Sequence, residues 1–186
     1  MRVMLHACCG PCLLEPLDAL AREHDVTVCY ANPNIAPYDE YVRRRDTLLG
    51  YAERSDVPVI DVPYQPDRWL QVAASSEGDA SRRCRACFRL RLGLVAVEAR
   101  RGGYDAVATT LTVSPYQDPE MIREAGEEVC AAEGVQFLVT DFRDRYSAAT
   151  RRSRELGMYR QNYCGCEPSR AEAEAERARR RAARAR

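Results

Sequence analysis

The chain alternates short apolar runs with helix-patterned stretches, and that alternation limits its fold more than any other feature. Residues 3–7, 26–31, 57–62, 106–110 and 135–140 read as strands, because most of their positions are apolar or β-branched. Between them, residues 12–22 carry Leu13, Leu17, Leu20 and Ala21 at helical spacing, and residues 38–54 place acids before bases, as a helix dipole favours. Residues 87–100 are amphipathic and stop at Gly102-Gly103, residues 119–133 close at Gly134, and residues 147–156 end at Gly157. Strands joined through helices pair in parallel. The expected fold class is therefore α/β, an open parallel sheet with helices on both faces. A length of 186 residues suits one such domain. We expect it to fill residues 1–168. Residues 169–186 are nearly all Ala, Glu and Arg, a helix former without an apolar stripe, expected to be a solvated tail.

The cysteines carry the chemistry. Seven of the nine fall in three tight groups: Cys8, Cys9 and Cys12 after the first strand, Cys84 and Cys87 as a C-x-x-C, and Cys164 and Cys166 as a C-x-C. The opening residues 1–6 are too short for the apolar core of an export signal, and no run approaches membrane-spanning length. A thiol-reducing cytoplasmic setting is expected, where grouped thiols hold metal or exchange electrons rather than staple a fold. Cys8, Cys9, Cys84 and Cys87 supply four thiolates from two loops, enough for an iron–sulfur cluster or a tetrahedral zinc; adjacent cysteines are awkward on one small zinc ion. A purely thiol site is the third reading. Cys12 lies where a helix N-terminus favours thiolate, or is a buried apolar cysteine. Cys164 and Cys166, one Gly apart, suit a small-ring, easily reduced disulfide or a second pair of metal ligands. Cys29 and Cys130 read as core residues, and His6 as a hydrogen-bonded core histidine.

Open α/β sheets bind ligands at the carboxyl ends of their strands. Cys8–Cys12, Asn32-Pro33-Asn34, Thr109-Thr110-Leu111 with Ser114-Pro115-Tyr116, and Asp141-Phe142 all fall there. No glycine-rich phosphate loop is present, so nucleotide triphosphate and NAD gain no support. The formal net charge is zero, with every one of the 28 basic residues an arginine. It is unevenly spread: residues 151–186 hold 11 Arg against 5 Glu, and residues 82–101 hold 7 Arg against one acid. Such segments are phosphate contacts or solvated helix faces. Tyr116, Tyr159 and Tyr163 stack on bases or simply pack.

Together these stretches resemble the cobalamin-independent QueH family of epoxyqueuosine reductases. The resemblance rests on Leu5-His6-Ala7-Cys8-Cys9-Gly10-Pro11-Cys12, Tyr30-Ala31-Asn32-Pro33-Asn34-Ile35, Arg83-Cys84-Arg85-Ala86-Cys87-Phe88-Arg89-Leu90, Thr109-Thr110-Leu111 with Ser114-Pro115-Tyr116, and Tyr159-Arg160-Gln161-Asn162-Tyr163-Cys164-Gly165-Cys166. It implies reduction of the epoxide of epoxyqueuosine to queuosine at the wobble position of tRNA. It also implies a 4Fe–4S cluster on Cys8, Cys9, Cys84 and Cys87, and a redox-active Cys164–Cys166 pair fed by an external electron donor. The implied fold is a Rossmann-like sheet of the adenine-nucleotide-hydrolase kind, its phosphate loop replaced by Cys8–Cys12. An adjacent mononuclear iron on Cys12 and Asp141 would fit the same picture. On this reading Arg82, Arg83, Arg85 and Arg89 meet anticodon phosphates, the tail matters less, and no membrane is involved. A sulfur transferase acting on tRNA, and a non-catalytic zinc-stabilised RNA-binding module, stay open as alternatives.

Overall fold

The computed structural model describes residues 1–76 and 78–184; the last two positions of the expected tail lie outside the described residues. Five strands, β1 (Arg2–His6), β2 (Asp25–Tyr30), β3 (Val59–Asp61), β4 (Ala106–Thr109) and β5 (Gln136–Phe137), form one sheet in the order β3-β2-β1-β4-β5. Every pairing is parallel; β1 runs level with β2 from Arg2↔Asp25 to His6↔Cys29 and with β4 from Val3↔Ala106 to His6↔Thr109. Seven α-helices join in: α1 (Gly10–Leu20), α2 (Tyr38–Arg54), α3 (Pro66–Ala74), α4 (Ala80–Arg101), α5 (Pro119–Glu133), α6 (Tyr146–Glu155) and α7 (Glu167–Arg184). This is the α/β architecture the alternation predicts.

The two-residue period of the strands divides the core into two faces. Val3, Leu5, Val28, Tyr30 and Ala108 pack with Leu13, Leu14, Leu17, Leu48 and Ala149, from α1, α2 and α6. Met4, Cys29 and Val107 point the other way and meet Val95, Ala96, Ala99 and Cys130, from α4 and α5. Cys29 and Cys130 are thus core residues. Chain order reverses direction between β1 and β4, the switch point at which open sheets leave a crevice. Cys8–Cys12 leave β1 there, beside Thr109 and Thr110 at the end of β4.

Three features depart from the sequence expectation. The edge strands β3 and β5 are shorter than residues 57–62 and 135–140, because each pairs with one neighbour only. Helix α3 was not legible; Trp69, 4 % exposed, seats it against Cys87 and Cys166. Helix α4 starts at Ala80 instead of residue 87, and Asp79 caps it by accepting the Arg82 N–H at 3.0 Å.

Candidate active site and metal centre

Three thiols converge where β1 meets α1. Cys8 lies in the turn, Cys9 is the extended N-cap, and Cys12 sits in the first helical turn behind Gly10-Pro11. Their sulfurs all lie within 4.8 Å of one another, a group that could hold a metal ion. Cys8 Sγ is 3.8 Å from Cys9 Sγ and 3.9 Å from Thr110 Oγ1. Hydrogen bonds from Cys12 and then Cys9 hold the Cys8 thiol well below the usual range, while the same contact with Cys8 pushes Cys12 well above it. Burial raises Cys9. The trio therefore favours one negative charge shared among three sulfurs at a helix N-terminus, where unpaired N–H groups stabilise it. Gln161 Nε2 closes the group, 2.9 Å from Cys9 Sγ and 3.8 Å from Cys12 Sγ.

Cys84 and Cys87 sit inside α4, three residues apart and so on one face of the helix, and not in a loop as the sequence suggested. Cys87 is buried against Trp69 and Cys166, and burial pushes its thiol up to about 12. Burial also raises Cys84, and the charge of Cys164 adds to that. The structure thus assembles Cys8 and Cys9 with Cys12, while Cys87 packs against Cys166.

The C-x-C is held from a distance along the chain. Gly165 has φ +149, a conformation L side chains rarely adopt, and a Cβ there would meet Asn34 Nδ2 and Ile35 Cγ1 at 3.1 Å. Ala36 N–H donates to Gly165 O at 2.9 Å. Buried Arg44 of α2 donates Nη1 to Cys164 O at 2.8 Å and Nη2 to Tyr163 O at 3.2 Å, while its Nε pairs with Glu40 at 2.7 Å. Tyr159 and Tyr163 donate to Glu40 Oε2 and Ala36 O, so both pack as structural residues. All nine cysteines are free thiols in this structure. Cys164 is exposed and meets Gln117 Nε2 at 3.4 Å, whereas Cys166 is buried.

Arg91 links the groups. It is 1 % exposed, on the face of α4 shared with Cys87, and its charge acts on Cys87, Cys8 and Cys164. Its Nη2 donates to Asn32 Oδ1 at 2.7 Å, its Nε has no partner, and no ion pair holds it among the described residues. A buried unpaired cation is costly unless negative charge stands opposite. Sulfurs deprotonated on binding a metal would supply that charge, so soft sulfur donors around a fixed cation fit an anionic metal–thiolate centre. His6 is the core residue expected: Nδ1 bonds Thr109 Oγ1 at 2.9 Å, and burial, then Arg91, lowers its pKa to about 3, so the ring is neutral.

Cys8, Cys12, Arg91 and Cys164 open onto a cavity of about 600 Å³, walled by Thr110, Tyr116, Gln161, Tyr163 and α7. That volume suits a nucleoside-sized ligand. One sequence expectation is corrected here. Asp141 is not among the residues at this cavity: it lines a separate one of about 240 Å³, and its carboxylate accepts Arg143 Nε at 2.9 Å. Four arginines of α4 meet carboxylates. Arg83 is buried on Glu172 of α7, Arg82 faces Asp79, and Arg85 and Arg89 pair with Glu124 and Glu128 of α5. The tail is helical with no buried residue, yet Glu172, Glu176, Arg177 and Arg180 face the cavity. Sequence reading missed Arg91, Arg44 and Gln161. The signals were the spacing of Arg91 four residues after Cys87 and the i,i+4 pair Glu40–Arg44.

Comparisons with known proteins agree on one family. The family model described as "Epoxyqueuosine reductase QueH" matches residues 3–172. Proteins named epoxyqueuosine reductase QueH resemble the chain at 35 % identity in Thermotoga maritima, covering 88 % of each chain, and at 32 % in Staphylococcus epidermidis, covering 89 % of this chain and 74 % of that one. The Dehalococcoides mccartyi protein of that name is 31 % identical over 89 % of this chain and 90 % of its own. Among solved structures, a predicted subunit of tRNA methyltransferase from Methanocaldococcus jannaschii superposes with a TM-score of 0.54 at 12 % identity, covering 83 % of this chain and 76 % of that one. The last likeness bears on the fold alone.

Proposed function

The chain belongs to the epoxyqueuosine reductase QueH family, and on that premise we propose how its thiol-lined cavity reduces the epoxide of epoxyqueuosine to the alkene of queuosine. The enzyme is an oxidoreductase of queuosine biosynthesis and its substrate is a tRNA. We take residues 1–168 as the catalytic unit and the wobble nucleotide as the group that enters the cavity. The observation that carries this reading is the gathering of thiols from all three sequence clusters around one buried guanidinium at the switch point. Neither a sulfur transferase nor a zinc-stabilised module is favoured.

Removing the oxygen breaks two C–O bonds, forms one C=C bond and releases water, so two electrons and two protons are consumed. A dithiol stores two electrons. Cys164 and Cys166 give them up by closing to a disulfide, which an external donor reopens; Arg44 and Gly165 hold the segment so that Cys164 faces the cavity. For the metal we propose a 4Fe–4S cluster on Cys8, Cys9, Cys84 and Cys87, with Cys12 as a neighbouring thiol for a further iron. When bound, that centre supplies one-electron transfer and a Lewis acid for the departing oxygen. Arg91 offsets the charge of the thiolates, Gln161 fixes Cys9 and Cys12, and the wall of Thr110 and Tyr163 limits water. No helix among the described residues is long and apolar enough to cross a membrane, and work on tRNA is in keeping with the cytoplasm. Iron and sulfide content of single Cys→Ser variants, with anaerobic visible spectra, tests the ligand set. Cys8, Cys9, Cys84 and Cys87 variants should bleach while the Cys12 variant keeps its colour. Bleaching at Cys12 with full colour at Cys84 would make the tight trio the ligand set instead.

A further inference from the structure

The mouth of the cavity pairs an aromatic ring with guanidinium groups that the reduction itself leaves unused. Tyr116, in the segment after β4, is 81 % exposed, more than any other large apolar side chain among the described residues. It makes a T-shaped contact with Tyr146, ring centroids 6.4 Å apart, and meets no other ring among the described residues. Across from it α7 turns Arg177 and Arg180 to the same cavity. Arg177 is braced by donation to Asn162 O at 3.0 Å, and Arg180 lines the same mouth as Tyr116 while its Nε holds Glu176 at 2.7 Å. Helix α7 sorts its charge along its length: residues 167–176 hold four Glu and one Arg, residues 177–184 five Arg and no acid. A solvated helix gains by interspersing opposite signs. A run of one sign at a cavity lip creates positive potential where a polyanion approaches. The cavity holds about one nucleoside, so the rest of an RNA loop must lie across this mouth.

We infer that Tyr116, Arg177 and Arg180 clamp a nucleotide next to the one inside the cavity, the ring stacking on a neighbouring base and the guanidiniums holding flanking phosphates of the single-stranded loop. The clamp rests on the reading of this site as one acting on tRNA. It adds a segment beyond the residues 3–172 that the family model matches. The test is the affinity of the full-length protein for a synthetic anticodon stem-loop RNA as a function of salt. Tyr116→Ala should weaken binding ~10-fold and Tyr116→Phe should not. The Arg177→Ala/Arg180→Ala double variant should weaken it and flatten the salt slope by about 0.7 per lost contact. Arg101→Ala, at the opposite end of α4, should change neither. If the wild-type protein turns over on tRNA and these variants match it in affinity and slope, the clamp alone falls. If they bind RNA normally but lose reduction by a protein donor, the mouth docks that donor and the clamp is wrong. If the wild-type protein neither binds the stem-loop nor turns over, the reading of the site falls, and the clamp with it.

Discussion

Gly165 stands between two thiols at φ +149, pressed against Asn34 and Ile35. Gly165→Ala should cost ~1–3 kcal/mol in strain and displace both cysteines. A fall in the urea midpoint with faster alkylation of Cys166 would report it. Arg44 is the partner of buried Glu40, so Arg44→Ala leaves a carboxylate without its counter-charge and should cost ~3–5 kcal/mol. A Glu40→Gln/Arg44→Met pair should recover most of that midpoint, yet still free the Tyr163 and Cys164 carbonyls and slow turnover. Arg91 makes a different prediction. Removing its charge while keeping its length, as in Arg91→Met, should lower iron uptake on reconstitution, and Arg91→Lys should restore part of it. Iron content equal to wild type in Arg91→Met would remove the argument that this buried cation serves an anionic centre. Gly165 was singled out by sequence, but Arg44 and Arg91 were not, because their decisive contacts lie far along the chain. Arg44 reaches the C-x-C across 120 positions.

At the scale of elements, α4 carries two thiols in its first two turns, and its start depends on Asp79. Asp79→Ala should cost ~1 kcal/mol and Asp79→Ser far less, as urea midpoints would measure. Iron retention should follow the same order. The start of α4 was misread because apolar periodicity begins only near Cys87, while the preceding Ser81-Arg82-Arg83 is polar; the cap was the one available signal. The inner strands β1, β2 and β4 were legible to within a residue or so, since strands buried on both faces need apolar residues throughout. The edges β3 and β5 were overextended because hydrogen bonding to a single neighbour, and not composition, ends them. Helix α7 shows the reverse case. Its composition predicted a helix with nothing to bury, which holds, but whether a polar helix lies free or walls a cavity depends on pairs such as Arg83–Glu172 that no local pattern encodes.

For the whole molecule, parallel order β3-β2-β1-β4-β5 puts the loops after β1 and β4 side by side, and α4 and the C-x-C segment bring Cys87 and Cys164 to the same buried guanidinium of Arg91 as Cys8. The grouping of seven cysteines was legible in the sequence. Whether Cys12 faces Cys8 and Cys9 or is an apolar core cysteine was not, for that depends on the turn geometry of the α1 N-terminus. The central claim is that this thiol-lined cavity removes one oxygen atom from a modified nucleotide in tRNA. The direct measurement is single-turnover reaction of anaerobically iron-loaded, pre-reduced protein with tRNA bearing epoxyqueuosine, read by nucleoside mass spectrometry. Wild-type protein should convert the epoxide to queuosine with loss of one oxygen, and a Cys164→Ser/Cys166→Ser variant should keep its iron and convert none. An intact epoxide after full iron loading and reduction of the wild-type protein would contradict the account.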